Sequence, residues 1–119
     1  MSNVLTFNSI ERTTTLATNV LITGDSAPLI VTINAAIDEA ATVSASVVTR
    51  QMDEVLISST VCDNSATDAD WPNGVIAVEF TTRQTDIDET GAAVLMIKVV
   101  QDGITTTYLG HLFIIEGTV

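Results

Sequence analysis

Few side chains in this sequence could carry chemistry, and their spacing is the first thing to weigh. There is one histidine, His111, and one cysteine, Cys62. A structural zinc site needs four nitrogen or sulfur ligands, so this pair cannot supply one. His111 sits inside the strand-like run ITTTYLGHLFII (104–115), and no G-x-S-x-G elbow accompanies it. A histidine there reads as a structural residue, not as a general base. A lone cysteine behaves first as a small buried apolar group.

Acidic residues are the other candidates. Asp63, Asp68 and Asp70 share one polar stretch, and Asp86, Asp88 and Glu89 share another. Calcium favours clustered carboxylates, but neither stretch has the EF-hand spacing, so both read as solvated loops. Thr23-Gly24-Asp25-Ser26 has one glycine and no lysine and is no phosphate loop. Trp71, followed by Pro72, could stack on a sugar. In a turn it reads more readily as a small satellite core or an interface anchor. The residues therefore predict no catalytic site, metal or cofactor, and no enzyme.

The charge balance narrows the partners. Fifteen acids against four bases give a net charge of −11. Nucleic-acid binding needs a basic stripe to displace counterions, and anionic membrane surfaces also attract basic patches. Neither partner is expected. A single cysteine excludes a disulfide-stapled secreted domain. The N-terminal MSNVLTFNSIERTTT has neither a basic leader nor an apolar stretch of signal-peptide type. Synthesis in a cytoplasm without export by that route is the expectation.

The elements that would position these residues are strands. Hydrophobic residues make up 46% of the chain but aromatics only 4%, so any core must be built from Val, Ile, Leu and Ala. VIAVEF (75–80) alternates, AVLMIKVV (93–100) is a long β-branched run, and Asp102-Gly103 joins it to ITTTYLGHLFII (104–115). Asp-Gly between such runs is a strong hairpin signal. Earlier strands are expected at 29–33, with Leu29, Val31 and Ile33 on one face, and at 43–47, with Val43, Ala45 and Val47 inward. Another is expected at 54–61, with Val55 and Ile57 inward. Residues 34–41 suggest a loop with one helical turn. Thr85-x-x-Asp88, Asp86-x-x-Glu89 and Gly91 suggest one helical turn crossing between sheets. The pattern predicts an all-β, immunoglobulin-like antiparallel sandwich of about seven to eight strands. An N-terminal arm or first strand would span 1–18 and the sandwich 19–119.

In the last hairpin the alternation fails. If Leu95, Ile97 and Val99 face the core, Val94, Met96 and Val100 share the other face with Lys98. If Leu112 and Ile114 face the core, Phe113 and Ile115 face outward beside His111. An antiparallel sheet open to water should be polar on that side, and an apolar patch there marks an interface. Val94, Met96, Phe113 and Ile115 are thus interface candidates, with Trp71 as a possible anchor. Val4, Leu5 and Phe7 join them, on an arm expected to dock on a neighbouring chain by strand addition.

A family resemblance attaches to these runs. Gly24-Asp25-Ser26-Ala27-Pro28-Leu29-Ile30-Val31-Thr32-Ile33, Ala41-Thr42-Val43-Ser44-Ala45-Ser46-Val47 and Gly74-Val75-Ile76-Ala77-Val78-Glu79-Phe80 carry it first. The closing hairpin through Asp102-Gly103 to Gly110-His111-Leu112-Phe113-Ile114 completes it. These segments, over about residues 20–116, resemble the immunoglobulin-like domains of phage tail and baseplate proteins, such as the N-terminal domain of baseplate upper proteins. One departure is that the strand after Gly91 opens with Ala92-Ala93-Val94, where an aromatic is usual. The resemblance implies a structural protein of the virion, homo-oligomeric, whose partners are phage capsid or tail proteins. Within that class the expected role is capsid decoration (a cement protein), with a tail or baseplate component as the alternative. From another class, the alternative is a glycan- or calcium-binding module using Trp71 and the acidic loops.

The acidic stretches generate a test. The melting temperature is expected to be the same in chelator and in millimolar calcium, by thermal scanning. A rise of several degrees, as for a ligand that binds only the folded state, would make one of these loops a calcium site.

Overall fold

The computed structural model describes residues 3–8, 13–15, 20–33 and 35–117, with the backbone alone for 3–8, 13–15, 27 and 28. Nine strands lie among these residues: β1 (Asn3–Asn8), β2 (Thr13–Thr15), β3 (Val20–Ile22), β4 (Ala27–Ile33), β5 (Thr42–Thr49), β6 (Val55–Cys62), β7 (Val75–Phe80), β8 (Gly91–Gln101) and β9 (Ile104–Ile115). They form a four-stranded sheet in the order β2-β1-β4-β7 and a five-stranded sheet in the order β3-β9-β8-β5-β6. The chain is an all-β, immunoglobulin-like sandwich. Its ladders are antiparallel except for β1 on β4 and β3 on β9, which run parallel.

Both sheets turn an aliphatic face inward. Leu29, Val31 and Ile33 of β4 and Ile76, Val78 and Phe80 of β7 meet Val43, Ala45 and Val47 of β5. Leu95, Ile97 and Val99 of β8 and Leu112 and Ile114 of β9 complete the layer. Phe80 is fully buried and is the largest of these side chains. Burying each aliphatic side chain is worth about 1.5–3 kcal/mol. These inward sets follow the two-residue period of the sequence.

β8 and β9 pair along their whole length, from Gly91↔Ile114 to Gln101↔Ile104. Asp102 (φ 54°) and Gly103 (φ 74°) form the two-residue turn. Two left-handed residues in succession give a type I′ turn, whose twist matches that of the strands. At the β5–β6 turn, Met52 takes φ 60°, and the Thr49 N–H donates to the Glu54 carbonyl at 2.9 Å.

Four expectations are corrected. β1 lies between β2 and β4 in its own chain, so the N-terminal arm completes its own sheet instead of a neighbour's. Val55 points outward and is 61% exposed. The register shift between Val47 and Val48 puts it on the side opposite Ile57, pairing it with Val48. Residues 35–41 form bends and turns with no helix, because the Ile37 backbone is taken by Trp71: its N–H donates to the Trp71 carbonyl at 2.9 Å.

The crossover at 81–90 makes its one turn earlier than expected, the Thr85 N–H donating to the Thr81 carbonyl at 3.1 Å, and forms no helix from Thr85 onward. The Thr85 hydroxyl, expected to cap a helix, is fully buried. It donates to the Asp25 carbonyl at 2.6 Å, with the Thr82 carbonyl at 3.2 Å. An N-cap hydroxyl must accept from the backbone; this one donates and ties the crossover to the β3–β4 turn. Gln84 adds a second tie, its Nε2 donating to Thr60 Oγ1 at 2.7 Å.

One turn seats the indole. Trp71–Asn73 form a single 3-10 turn with Pro72 at its start, and Gly74 ends it at φ 75°. The Ile33 N–H donates to the Gly74 carbonyl at 2.9 Å. A Cβ on Gly74 would meet the Ile33 carbonyl oxygen and lie 2.6 Å from that of Ala35. Both the left-handed conformation and this backbone contact require glycine. Gly74→Ala is expected to destabilise the fold by about 2 kcal/mol or more, read as a lower denaturation midpoint in urea. Gly103→Ala, where a Cβ would meet nothing within 4 Å, is expected to lose about 1 kcal/mol, the conformational part alone.

Candidate protein-binding face

Among the described residues no three of His, Cys, Asp and Glu come together as a metal site. Asp63 is engaged locally: its carboxylate accepts from the Ser65 N–H and hydroxyl, both at 2.9 Å. Those bonds hold its pKa below the ordinary aspartate value. Asp70 accepts from Asn73 Nδ2 at 2.7 Å. A depression of about 150 Å³ beside Ile37, Gln101 and Tyr108, and one of about 260 Å³ beside Ile30, Asp68 and Glu79, are both below the size usual for small-molecule sites.

What the larger sheet does offer is its outer face. On β9 this face carries Leu109, His111, Phe113 and Ile115, and on β8 Ala92, Val94, Met96 and Lys98, as the register Val94↔His111 and Ala92↔Phe113 requires. Val48 of β5 lies opposite Val94, Val55 of β6 opposite Val48, and Ile22 of β3 opposite Ile115. An apolar belt thus crosses the sheet from β3 to β6, nearest the end where β8 begins and β9 finishes. Towards the other end the face is mixed: Ser44, Lys98 and Thr107 share a row with the exposed Val61, and Val100 lies beyond it.

The interface candidates separate on this surface. Phe113 is 56% exposed and Ile115 49%, and Met96 is half-buried. Val94 is only 6% exposed, although it lies outside the core cluster. It stands on a central strand between its register neighbours Val48 and His111, which shield it. It forms the floor of the belt and not a contact in its own right. Trp71 is corrected further: it is 4% exposed and belongs to the core. Its indole can neither anchor a partner nor stack on a sugar, so the glycan-binding alternative loses its ring. The buried indole N–H meets no acceptor among the described residues. The side chains of Val4, Leu5 and Phe7 lie outside the described part.

Sequence reasoning missed Ile22, Val48 and Val55 as members of this belt. Ile22 and Val48 sit in runs where both neighbours are also apolar or β-branched. Val55 changes side only because β6 is bulged.

The charges are segregated from the belt. Of the fourteen acids among the described residues, thirteen lie in turns, loops and the stretch after β9; Glu79 of β7, in the other sheet, is the exception. At the apolar end the bordering loops carry Asp25, Asp53, Glu54, Asp86, Asp88, Glu89 and Glu116, all exposed, with Arg50 and Arg83 as the bases.

Cys62 is buried in the core layer, and burial pushes its thiol up to about 11 from 9.0. A raised thiol pKa in the fold favours the protonated form. Its stabilising contribution is therefore complete below pH 9 and lost as pH rises from 9 to about 11. The unfolding free energy from urea titration is expected to fall across that window in the native chain, by up to roughly 2 kcal/mol, and less in Cys62→Ala after normalising to pH 7. The native thiol is also expected to resist a disulfide reagent at pH 8 until denaturant is added.

No protein-family model matches the chain, and no curated protein sequence matches it. Among solved structures, the N-terminal domain of phage TP901-1 ORF48 is similar along 98% of this chain and 98% of its own, with a TM-score of 0.64 and 12% identity. Among the described residues no helix is long and apolar enough to cross a membrane. The likeness is one of fold, covering both sheets from end to end.

Proposed function

We propose that this chain is a structural protein of a phage particle, a tail or baseplate component that works by protein–protein binding and not by catalysis. The observation that carries the proposal is the end-to-end likeness to a phage domain, joined to the sequence resemblance to phage tail and baseplate domains. The single histidine, the single cysteine and the strongly acidic composition agree with it, since such a chain has surface as its main resource. Capsid decoration belongs to the same structural class, but no observation favours it separately, so the tail or baseplate reading is preferred. Under either reading the location is the virion, after synthesis in a bacterial cytoplasm.

Mass spectrometry of purified particles tests this, with copy number per particle. A few to tens of copies are expected for a tail or baseplate component. Hundreds would move the protein to the capsid or tube, and absence from particles would remove the structural role.

A further inference from the structure

The outer face of the larger sheet combines two properties that the fold does not require. Its apolar belt leaves Ile22, Val55, Phe113 and Ile115 each at least 40% exposed, on a floor of Val48 and Val94. The loops that border it hold seven exposed acids against two arginines, while none of the sheet's five strands holds an acid. We propose that this belt is the docking surface for a different protein, one that presents an apolar segment flanked by lysine or arginine. Only the placing of that partner in a phage particle rests on the proposed structural role.

The charge pattern selects the occupant. Two copies packed face to face would set one acidic rim against another in chains that each carry −11. Like charges brought together at an interface rim oppose association and slow encounter. A basic rim does the reverse, steering the partner in before the apolar contacts close. The β6 edge of the same sheet is a poorer candidate. β6 has no charged residue, but its two register shifts against β5 break the even row of donors and acceptors that an added strand needs. Docking on the face leaves that edge unused. Phe113, at 56% exposure, is the large side chain best placed to act as the anchor, and aromatic anchors carry a disproportionate share of interface energy.

The test uses the full chain and two synthetic peptides with the same Val/Ile/Phe centre, one flanked by lysines and the other by glutamates. The lysine-flanked peptide is expected to bind, and its amide shift changes should map to β3, β8 and β9. Raising salt from about 50 to about 300 mM should weaken it roughly tenfold. Phe113→Ser and Ile115→Ser should each lower its affinity about tenfold or more without moving the melting temperature. Equal binding of both peptides would overturn the proposal. So would unchanged affinity in both variants, which would leave only attraction to the acidic loops. A dimer of the native chain in sedimentation, abolished by Phe113→Ser and strengthened by salt, would make a second copy the occupant and overturn the choice of partner. Shift mapping on the native chain decides the matter even if a variant fails to fold. None of these measurements needs a particle, so absence from particles would remove the structural role and leave the surface standing.

Discussion

The register between β8 and β9 is the constraint on which the rest of the structure depends. Ala93-Val94-Leu95-Met96-Ile97 is apolar at every position, so hydrophobic alternation discriminates weakly between two registers one residue apart. A slip of one would turn Leu95, Ile97 and Val99 outward and bring Met96 and Lys98 into the core. The turn removes the ambiguity. Asp102 and Gly103, both left-handed, fix Gln101 opposite Ile104, and every later pair follows. β5 then reads its own register from β8, from Thr42↔Val100 to Thr49↔Ala93. β3 reads its register from β9. A short local sequence thus decides which face of the whole five-stranded sheet is core and which is surface.

Much of this was legible from the residues, for a reason that can be named element by element. Where polar residues alternate with apolar ones, as in VIAVEF and TVSASVV, the inward set is correct, because an aliphatic residue two places on returns to the same face. The Asp-Gly turn was legible because few residues tolerate the left-handed conformation it needs. The readings that failed are those decided at a distance. The Thr85-x-x-Asp88 spacing predicts a helix start, yet the carbonyl its hydroxyl serves belongs to Asp25, sixty residues earlier. Alternation places Val55 inward with Ile57, because a bulge in β6 is invisible without its partner β5. Residue type leaves Trp71 open between a satellite core and an interface anchor, and the Ile37 and Gly74 backbone contacts that fold its turn over the end of the core decide for burial. The outer apolar face was legible as a failure of alternation. Its charge rim was not, since the seven acids come from separate loops that only the topology brings to one end.

That rim also bears on how the chain stays folded with so much apolar sequence. Nearly half the residues are hydrophobic, and strands that are apolar on both faces invite sheet-to-sheet aggregation. The larger sheet contains none of the described acids and only one base, Lys98, so its own strands provide little repulsion. The loops at its apolar end do so instead. Exposed like charges around the belt repel other copies at separations within a Debye length, about 8 Å at physiological salt, and a net charge far from zero keeps the unbound chain dispersed. The acids are free to serve this purpose because they are absent from the ladders. None of the inward positions identified in either sheet is a carboxylate, so the fold loses no buried ion pair by placing them at the ends.

The same separation explains why an apolar outer face is tolerable. Exposed aliphatic groups on a sheet add nothing to folding, since they remain in water in both states. Their removal from water is worth about 25 cal/mol per Å² only when something covers them. Val48 and Val94 have already been covered by their neighbours, and this gain belongs to the folded monomer. Phe113, Ile115 and Ile22 have not. Folding therefore uses the inward face of β8 and β9 fully and the outer face in part. The unused part lies where two strands held rigid by an eleven-pair ladder present it. A rigid sheet face loses little side-chain or backbone freedom on association, so more of the apolar gain survives as affinity. A loop carrying the same residues would first have to be ordered.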